Sequence, residues 1–194
     1  MGPIETDNPE LILILGGARA GKSAYAEQLV TDYGPRALYV ATAEVRDDEM
    51  RSRIQAHRAR RPPHWTTLEA PRDVGAALLS LKPAADAILL DCLTLLVTNL
   101  VLAHAGDGEM VAPEVEEAAD AAVTAEVHAL LNAQSQLGLP MVVVSNEVGL
   151  GLVPPYPLGR LYRDVLGRAN QHLAAAADRV YLLVAGLPMT LKGE

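Results

Sequence analysis

Leu11-Ile12-Leu13-Ile14-Leu15-Gly16-Gly17-Ala18-Arg19-Ala20-Gly21-Lys22-Ser23 is an apolar strand that runs straight into the pattern Gly16-x-x-x-x-Gly21-Lys22-Ser23. Glycines at both ends of that loop let successive backbone N–H groups turn onto phosphate oxygens. Lys22 neutralises the outer phosphates, and the Ser23 hydroxyl can ligate Mg²⁺. The helix-forming run Ser-Ala-Tyr-Ala-Glu-Gln-Leu-Val that follows brings the positive end of its dipole to the same place. Residues Gly16, Gly17, Ala18, Arg19, Ala20, Gly21, Lys22 and Ser23 therefore read as a nucleotide-binding strand–loop–helix.

Outward from this junction, apolar runs alternate with helical stretches, the rhythm of a parallel sheet covered on both faces. The fold class expected is α/β: a P-loop NTPase of RecA-like type, its mostly parallel sheet flanked by helices. Strands are expected at Leu11–Leu15, Ala37–Ala41, Ala87–Asp91, Met141–Ser145 and Val180–Val184. Helices are expected at Lys22–Tyr33, Asp47–Arg60, Val74–Leu81, Pro113–Leu137 and Leu161–Ala177. Three prolines and three glycines between Gly149 and Gly159 read as a loop. With 194 residues the chain fits one catalytic domain over residues 11–194, preceded by a flexible segment, residues 1–10.

Composition narrows the function classes. A formal charge of −8 argues against a general nucleic-acid binder. No apolar run approaches the roughly 20 residues that span a bilayer, and the polar start with two prolines is unlike a signal peptide. The single Cys92 excludes an internal disulfide and fits a cytoplasmic protein.

Two further features carry chemistry. The apolar run Ala87-Ile88-Leu89-Leu90 ends in Asp91, and an acid at the end of a strand neighbouring a phosphate loop helps to hold Mg²⁺. From Arg51 to Arg61 the sequence RSRIQAHRARR places five of the 16 basic residues, with His57, inside an otherwise acidic chain. Asp47-Asp48-Glu49 before it suits the first turn of a helix. On that helix Arg53, His57 and Arg60 or Arg61 share one face, with Met50 and Ile54 on an adjacent one. A histidine framed by arginines either binds phosphate as a cation or attacks it as a neutral nucleophile. A P-loop kinase of a small metabolite and a nucleotide-dependent switch or assembly ATPase both fit these residues.

Six stretches together resemble one family. They are GGARAGKS, YVATAEVRDDEMRSRI, AHRARRPPHWTTLEAP, LLDCLTLLVTNL, VVSNEVGLGLVP and GRANQHLAAAADRVYLLVAGLP. In order and spacing they resemble the bifunctional adenosylcobinamide kinase / adenosylcobinamide-phosphate guanylyltransferase of cobalamin synthesis. The pattern His-Arg-x-x-Arg-Pro-x-x-Trp-x-Thr-x-Glu, which starts at His57, is absent from generic P-loop kinases. The resemblance implies phosphorylation of adenosylcobinamide by ATP or GTP, then transfer of GMP from GTP to adenosylcobinamide phosphate through a guanylylated His57. It implies nucleotide contacts at Ala41, Thr42, Ala43, Arg58, Ala59, Arg60, Arg61, Glu69 and Asp91, and a homotrimer. One departure stands in the loop, where the family usually has serine at the position of Ala20. The backbone amides there are unaffected by the change.

Overall fold

The computed structural model describes residues 9–45, 47, 48, 50–52, 55, 58, 61–105 and 111–193. Seven strands form one sheet: β1 (Leu11–Gly16), β2 (Ala37–Ala41), β3 (Thr66–Glu69), β4 (Ala87–Asp91), β5 (Met141–Val144), β6 (Arg179–Val184) and β7 (Leu187–Lys192). Their spatial order is β3-β2-β4-β5-β1-β6-β7, parallel throughout except for the antiparallel β6–β7 hairpin at one edge. The helices whose bounds lie wholly in the described residues are α1 (Lys22–Tyr33), α2 (Val74–Leu81), α3 (Leu93–Ala105), α4 (Pro113–Leu137) and α5 (Pro157–Ala176).

Side chains on a strand alternate between faces, so the unbroken apolar run of β1 serves two cores. Leu11, Leu13 and Leu15 pack with Leu38, Val40, Ile88, Leu90 and the apolar faces of α2 to α5. Ile12 and Ile14 pack on the opposite face with Leu89, Val142, Val144, Trp65 and the Ala26 and Val30 side of α1. The loop after β1 thus leads to α1 on one face, whereas the loops after β4 and β5 lead to α3 and α5 on the other. That divergence opens a crevice at the C-terminal ends of the strands.

Helix ends follow local chemistry. Pro113 opens α4 with Glu114 and Glu116 in its first turn, and Gly138, at φ 64°, closes it. Asp73, before α2, makes no side-chain cap. Glu126 of α4 substitutes from a distance, accepting from the backbone N–H of Val74 at 2.7 Å and of Asp73 at 3.1 Å. Burial pushes the Glu126 carboxyl above its ordinary value, and those two donors pull the other way.

Several elements differ from the sequence expectations. Strand β3 was not expected because Thr66, Thr67 and Glu69 on this edge are exposed and show no apolar alternation. Strand β7 is exposed at every residue and contains Pro188, which an edge strand tolerates. Helix α3 was missed because, beyond the buried stripe of Leu93, Leu96, Val97, Leu100 and Val101, it carries apolar Leu95, Leu102 and Ala103 on its less buried positions, so no 3.6-residue period stands out in the sequence. Helix α5 starts at Pro157, inside the segment expected to be loop, since proline at the first helical position already has a helical φ. The helix expected from Asp47 to Arg60 is helical at residues 48, 50–52, 55 and 58. Its start is capped by Asp47, whose Oδ1 accepts from the Met50 N–H at 2.6 Å. Of the N-terminal segment, residues 1–8 lie outside the described residues. Pro9 and Glu10 are tied down: the Pro9 carbonyl accepts from Gln134 at 2.7 Å, and Glu10 pairs with Arg179 at 2.5 Å and with the Tyr33 hydroxyl.

Candidate nucleotide site

Strand register builds the site. Ile14 pairs with Val144, Val144 with Asp91, Asp91 with Ala41, and Ala41 with Glu69. One row across the sheet therefore carries Glu69, Ala41 and Asp91 to the same edge as the loop that leaves β1. Above that edge lies a cavity of about 610 Å³, within the size range of small-molecule sites. Ala18, Arg19, Ala20, Gly21, Lys22 and Ser23 line it together with Ala41, Ala43, Arg58, Arg61, Glu69 and Asp91.

The loop is held by its packing. Gly16 sits against β6 so closely that a Cβ there would lie 2.6 Å from the Leu183 carbonyl oxygen. Gly21 has φ 95°, and a Cβ on it would meet the Gly186 Cα at 3.2 Å; the Gly186 N–H donates to the Ala20 carbonyl at 3.0 Å. The β6–β7 turn thus braces the loop from outside the cavity. Helix α1 has neither a side-chain N-cap nor an acid in its first turn, so no side chain of that turn competes for its first N–H groups. Lys22 is only 8% exposed and donates to the Gly17 carbonyl at 2.7 Å. Burial pulls its ammonium below the usual lysine value, while the neighbouring Cys92 and Asp91 pull it up.

Asp91 is held by a residue the sequence reading passed over. The Tyr39 hydroxyl donates to Asp91 Oδ2 at 2.8 Å, and the Arg61 guanidinium lies 3.5 Å from the centre of the Tyr39 ring. Burial and the neighbouring carboxylate push the Tyr39 phenol far up, so it stays a donor. A polar-tipped ring in the otherwise apolar run Ala37-Leu38-Tyr39-Val40 was the available signal, because a buried tyrosine hydroxyl needs a partner. Cys92, next in the chain, is not set up as a nucleophile: burial raises its thiol to about 11.

Thr42 is fully buried. Its hydroxyl donates to the Cys92 carbonyl at 2.7 Å and accepts from the Cys92 N–H at 3.0 Å, locking the ends of β2 and β4 together. Asn99 of α3 extends the lock by donating to the carbonyls of Thr42 at 2.8 Å and Pro71 at 2.9 Å. These bonds fix Ala41 and Ala43 at the cavity wall, while the Thr42 side chain is spent on the strand ends.

The opposite wall carries the arginines. Met50, Arg51, Gln55, Arg58 and Arg61 line the same cavity as Lys22, so the described part of the arginine-rich segment faces the loop. Arg51, Gln55 and Arg58 follow the i, i+4, i+7 spacing of one helical face. Arg58 pairs with Glu69, and Arg61 donates to Thr67 Oγ1 at 3.3 Å. His57, Ala59 and Arg60 lie outside the described residues. Gly16 and Gly17 are not among the residues that line the cavity, whose lining begins at Ala18; Gly16 packs on β6 and the Gly17 carbonyl accepts from Lys22.

Comparison with known proteins shows the family. The bifunctional adenosylcobalamin biosynthesis protein CobU of Salmonella typhimurium is 44% identical over 184 residues, covering 94% of this chain and 99% of that protein. Its namesake in Escherichia coli is 41% identical over 184 residues, with the same coverage. The bifunctional adenosylcobalamin biosynthesis protein CobP of Pseudomonas aeruginosa is 46% identical over 182 residues, covering 94% of this chain and 97% of that protein. The family model described as cobinamide kinase / cobinamide phosphate guanyltransferase matches residues 12–191, which include the loop, Asp91 and the arginine-rich segment, and the chain belongs to that family.

Proposed function

We propose that the chain catalyses two successive steps of cobalamin synthesis at this cavity. In the first, the aminopropanol hydroxyl of adenosylcobinamide attacks the γ-phosphorus of ATP or GTP, and the nucleoside diphosphate leaves. In the second, a His57 imidazole nitrogen attacks the α-phosphorus of GTP and pyrophosphate leaves. The phosphate of adenosylcobinamide phosphate then attacks the same phosphorus, histidine departs, and adenosylcobinamide-GDP is formed.

The observation that carries this reading is the shared cavity. A phosphate loop with a buried lysine, a strand-end carboxylate and two arginines from the His57 segment line one space. Lys22 and the first N–H groups of α1 bind the phosphates, and Arg58 and Arg61 offset charge that builds on the phosphoryl oxygens. The donor set also suits Mg²⁺: the Ser23 hydroxyl and the Asp91 carboxylate are hard oxygen ligands, and Tyr39 engages only one of the two Asp91 oxygens. Held by Ser23 and Asp91, Mg²⁺ would supply positive charge that lowers the repulsion among the phosphate oxygens.

The proposed assembly is a homotrimer working in the cytoplasm. Leu187, Met189 and Leu191 are exposed on the edge strand β7, an apolar row of the kind that assembly covers. No described helix is long and apolar enough to cross a membrane. Sedimentation equilibrium reads the subunit number, and a monomer overturns the trimer.

The decisive experiment uses GTP labelled at the α-phosphate. Incubation with Mg²⁺ is expected to leave acid-labile, alkali-stable covalent label on the protein, and His57→Ala is expected to abolish it. Normal GTP binding without label would sink the covalent mechanism.

A further inference from the structure

The segment Ser145-Asn146-Glu147 leaves β5 between the strand that ends in the phosphate loop and the strand that ends in Asp91, because β5 pairs with β1 on one side and β4 on the other. Its backbone is fixed from every direction. The Ser145 N–H donates to the Ile14 carbonyl at 2.9 Å and the Glu147 N–H to the Gly16 carbonyl at 3.1 Å, so pairing with β1 persists past the strand's end. The Asn146 N–H donates to Thr94 Oγ1 at 2.8 Å. The Asn146 carbonyl accepts from Asn170 Nδ2 at 3.1 Å, and Asn170 Oδ1 in turn accepts from the Ser145 hydroxyl at 2.7 Å.

Thr94, Ser145 and Asn170 are all buried. Polar side chains buried in this way cost free energy unless hydrogen-bonded, and apolar residues would fill the same space without that condition. What the three achieve together is a single backbone orientation for Asn146. Asn146 lines the cavity beside Lys22, Ser23 and Asp91. Its main chain is fully engaged, and among the described residues its side-chain amide makes no hydrogen bond.

An uncharged amide beside a lysine and a carboxylate can do what neither charge can. Its NH₂ donates to a phosphoryl oxygen, and its oxygen accepts from a hydroxyl, without repelling either group. The place between loop and acid is that of the terminal phosphate: loop amides hold the inner phosphates, the lysine reaches the outer two, and the strand-end acid serves the same outer pair. We infer that Asn146 is a catalytic residue of the phosphoryl-transfer step, donating from its side-chain amide to the γ-phosphoryl group, and that it takes no part in guanylylation, whose reacting atom is the α-phosphorus. In that step the substrate hydroxyl oxygen bonds to the γ-phosphorus and the γ-phosphorus–bridging-oxygen bond breaks. The diphosphate leaves with the electron pair, and the hydroxyl proton passes to water. The inference rests on the kinase half of the proposed function.

The test uses the full chain and the variants Asn146→Ala and Asn146→Leu, the second nearly isosteric and uncharged so that folding and phosphate binding are preserved. Three quantities are measured: GTP affinity by calorimetry, kcat and KM for cobinamide phosphorylation, and the rate of covalent labelling from α-labelled GTP. Loss of a preorganised donor to the transition state is expected to lower kinase kcat by about 100-fold or more in both variants. GTP affinity and the labelling rate are expected to stay within about threefold of wild type, the split that marks an interaction made only in one transition state. Kinase kcat within about threefold of wild type overturns the inference, and so does an equal fall in both reactions, which marks a structural role. Wild-type protein that labels but does not phosphorylate cobinamide removes the kinase reading itself, and the inference with it.

Discussion

The two walls of the cavity are built by opposite means. The loop wall is backbone held by backbone: Gly16 presses on the Leu183 carbonyl, the Ala20 carbonyl takes the Gly186 N–H, and Lys22 is buried. The arginine wall stands on side-chain pairs at the surface. Arg58 and Glu69 are 53% and 59% exposed, and Arg51 and Asp48 are 59% and 91% exposed. Exposed ion pairs contribute about 0–1 kcal/mol, whereas a close-packed backbone contact cannot yield without moving a strand. On the proposed function the first wall is a fixed mould for phosphate, and the second can rearrange at small cost between reactions at different phosphorus atoms.

The largest expected effect comes from emptying the mould of its charge. Lys22→Ala is expected to lower cobinamide phosphorylation by about 1,000-fold, roughly 4 kcal/mol of activation free energy. Thermal stability should change by less than about 1 kcal/mol, because losing the bond to Gly17 is offset by no longer burying an ammonium. The sign of the pH dependence follows from the lowered value of Lys22. Between its folded value and the ordinary lysine value the unfolded chain binds more protons, so wild-type stability rises with pH across that window. The Ala variant should lack that rise in pH-dependent melting. Retained turnover in Lys22→Ala would count against the loop as the kinase site.

Deforming the mould comes next. Gly16→Ala places a Cβ 2.6 Å from the Leu183 oxygen, so β1 and β6 must part. The expected cost is about 2–3 kcal/mol, read by denaturant unfolding, with nucleotide binding lost alongside. Unchanged stability would show that the loop wall is as pliable as its counterpart.

Which parts of this contrast were legible in sequence follows from where their physics lies. The Gly16–Ser23 loop and Asp91 announce themselves locally, because strand, turn and charge are contiguous in the chain. The row from Ile14 to Glu69 is a product of register among β1 to β5, and no single segment contains it. Thr42, Thr94 and Asn99 act through partners roughly 50 positions away along the chain. Their only local trace is a polar residue in an apolar surrounding. The edge strand β3 lacks the alternation that identifies a strand with one buried face, whereas β7 alternates through Leu187, Met189 and Leu191 but contains Pro188 and buries neither face. The arginine frame was visible as composition, but its placement against Tyr39 and Glu69 required the fold.

Tyr39 is where the walls meet, with Arg61 over its ring and Asp91 on its hydroxyl. Tyr39→Phe keeps the ring and removes the bond, at an expected cost of about 1 kcal/mol in unfolding free energy. Asp91 then loses an orienting donor, and the Mg²⁺ concentration for half-maximal kinase activity should rise. An unchanged Mg²⁺ profile would mean that the hydroxyl serves only the core.

The smallest expected effect is on the arginine wall's contribution to stability, and it sharpens the contrast most. Arg58→Ala removes the partner of Glu69 at a site open to water, so unfolding free energy should change by no more than about 0.5 kcal/mol, at low and at high salt. Function should separate from stability here: labelling from α-labelled GTP is expected to fall about tenfold or more, as for loss of a charged donor to a developing phosphoryl charge. Cobinamide phosphorylation should fall less, since Lys22 and the helix α1 terminus still hold the phosphates. A stability loss comparable to that of Gly16→Ala would make the two walls alike, and a rearranging arginine wall would then have no energetic basis.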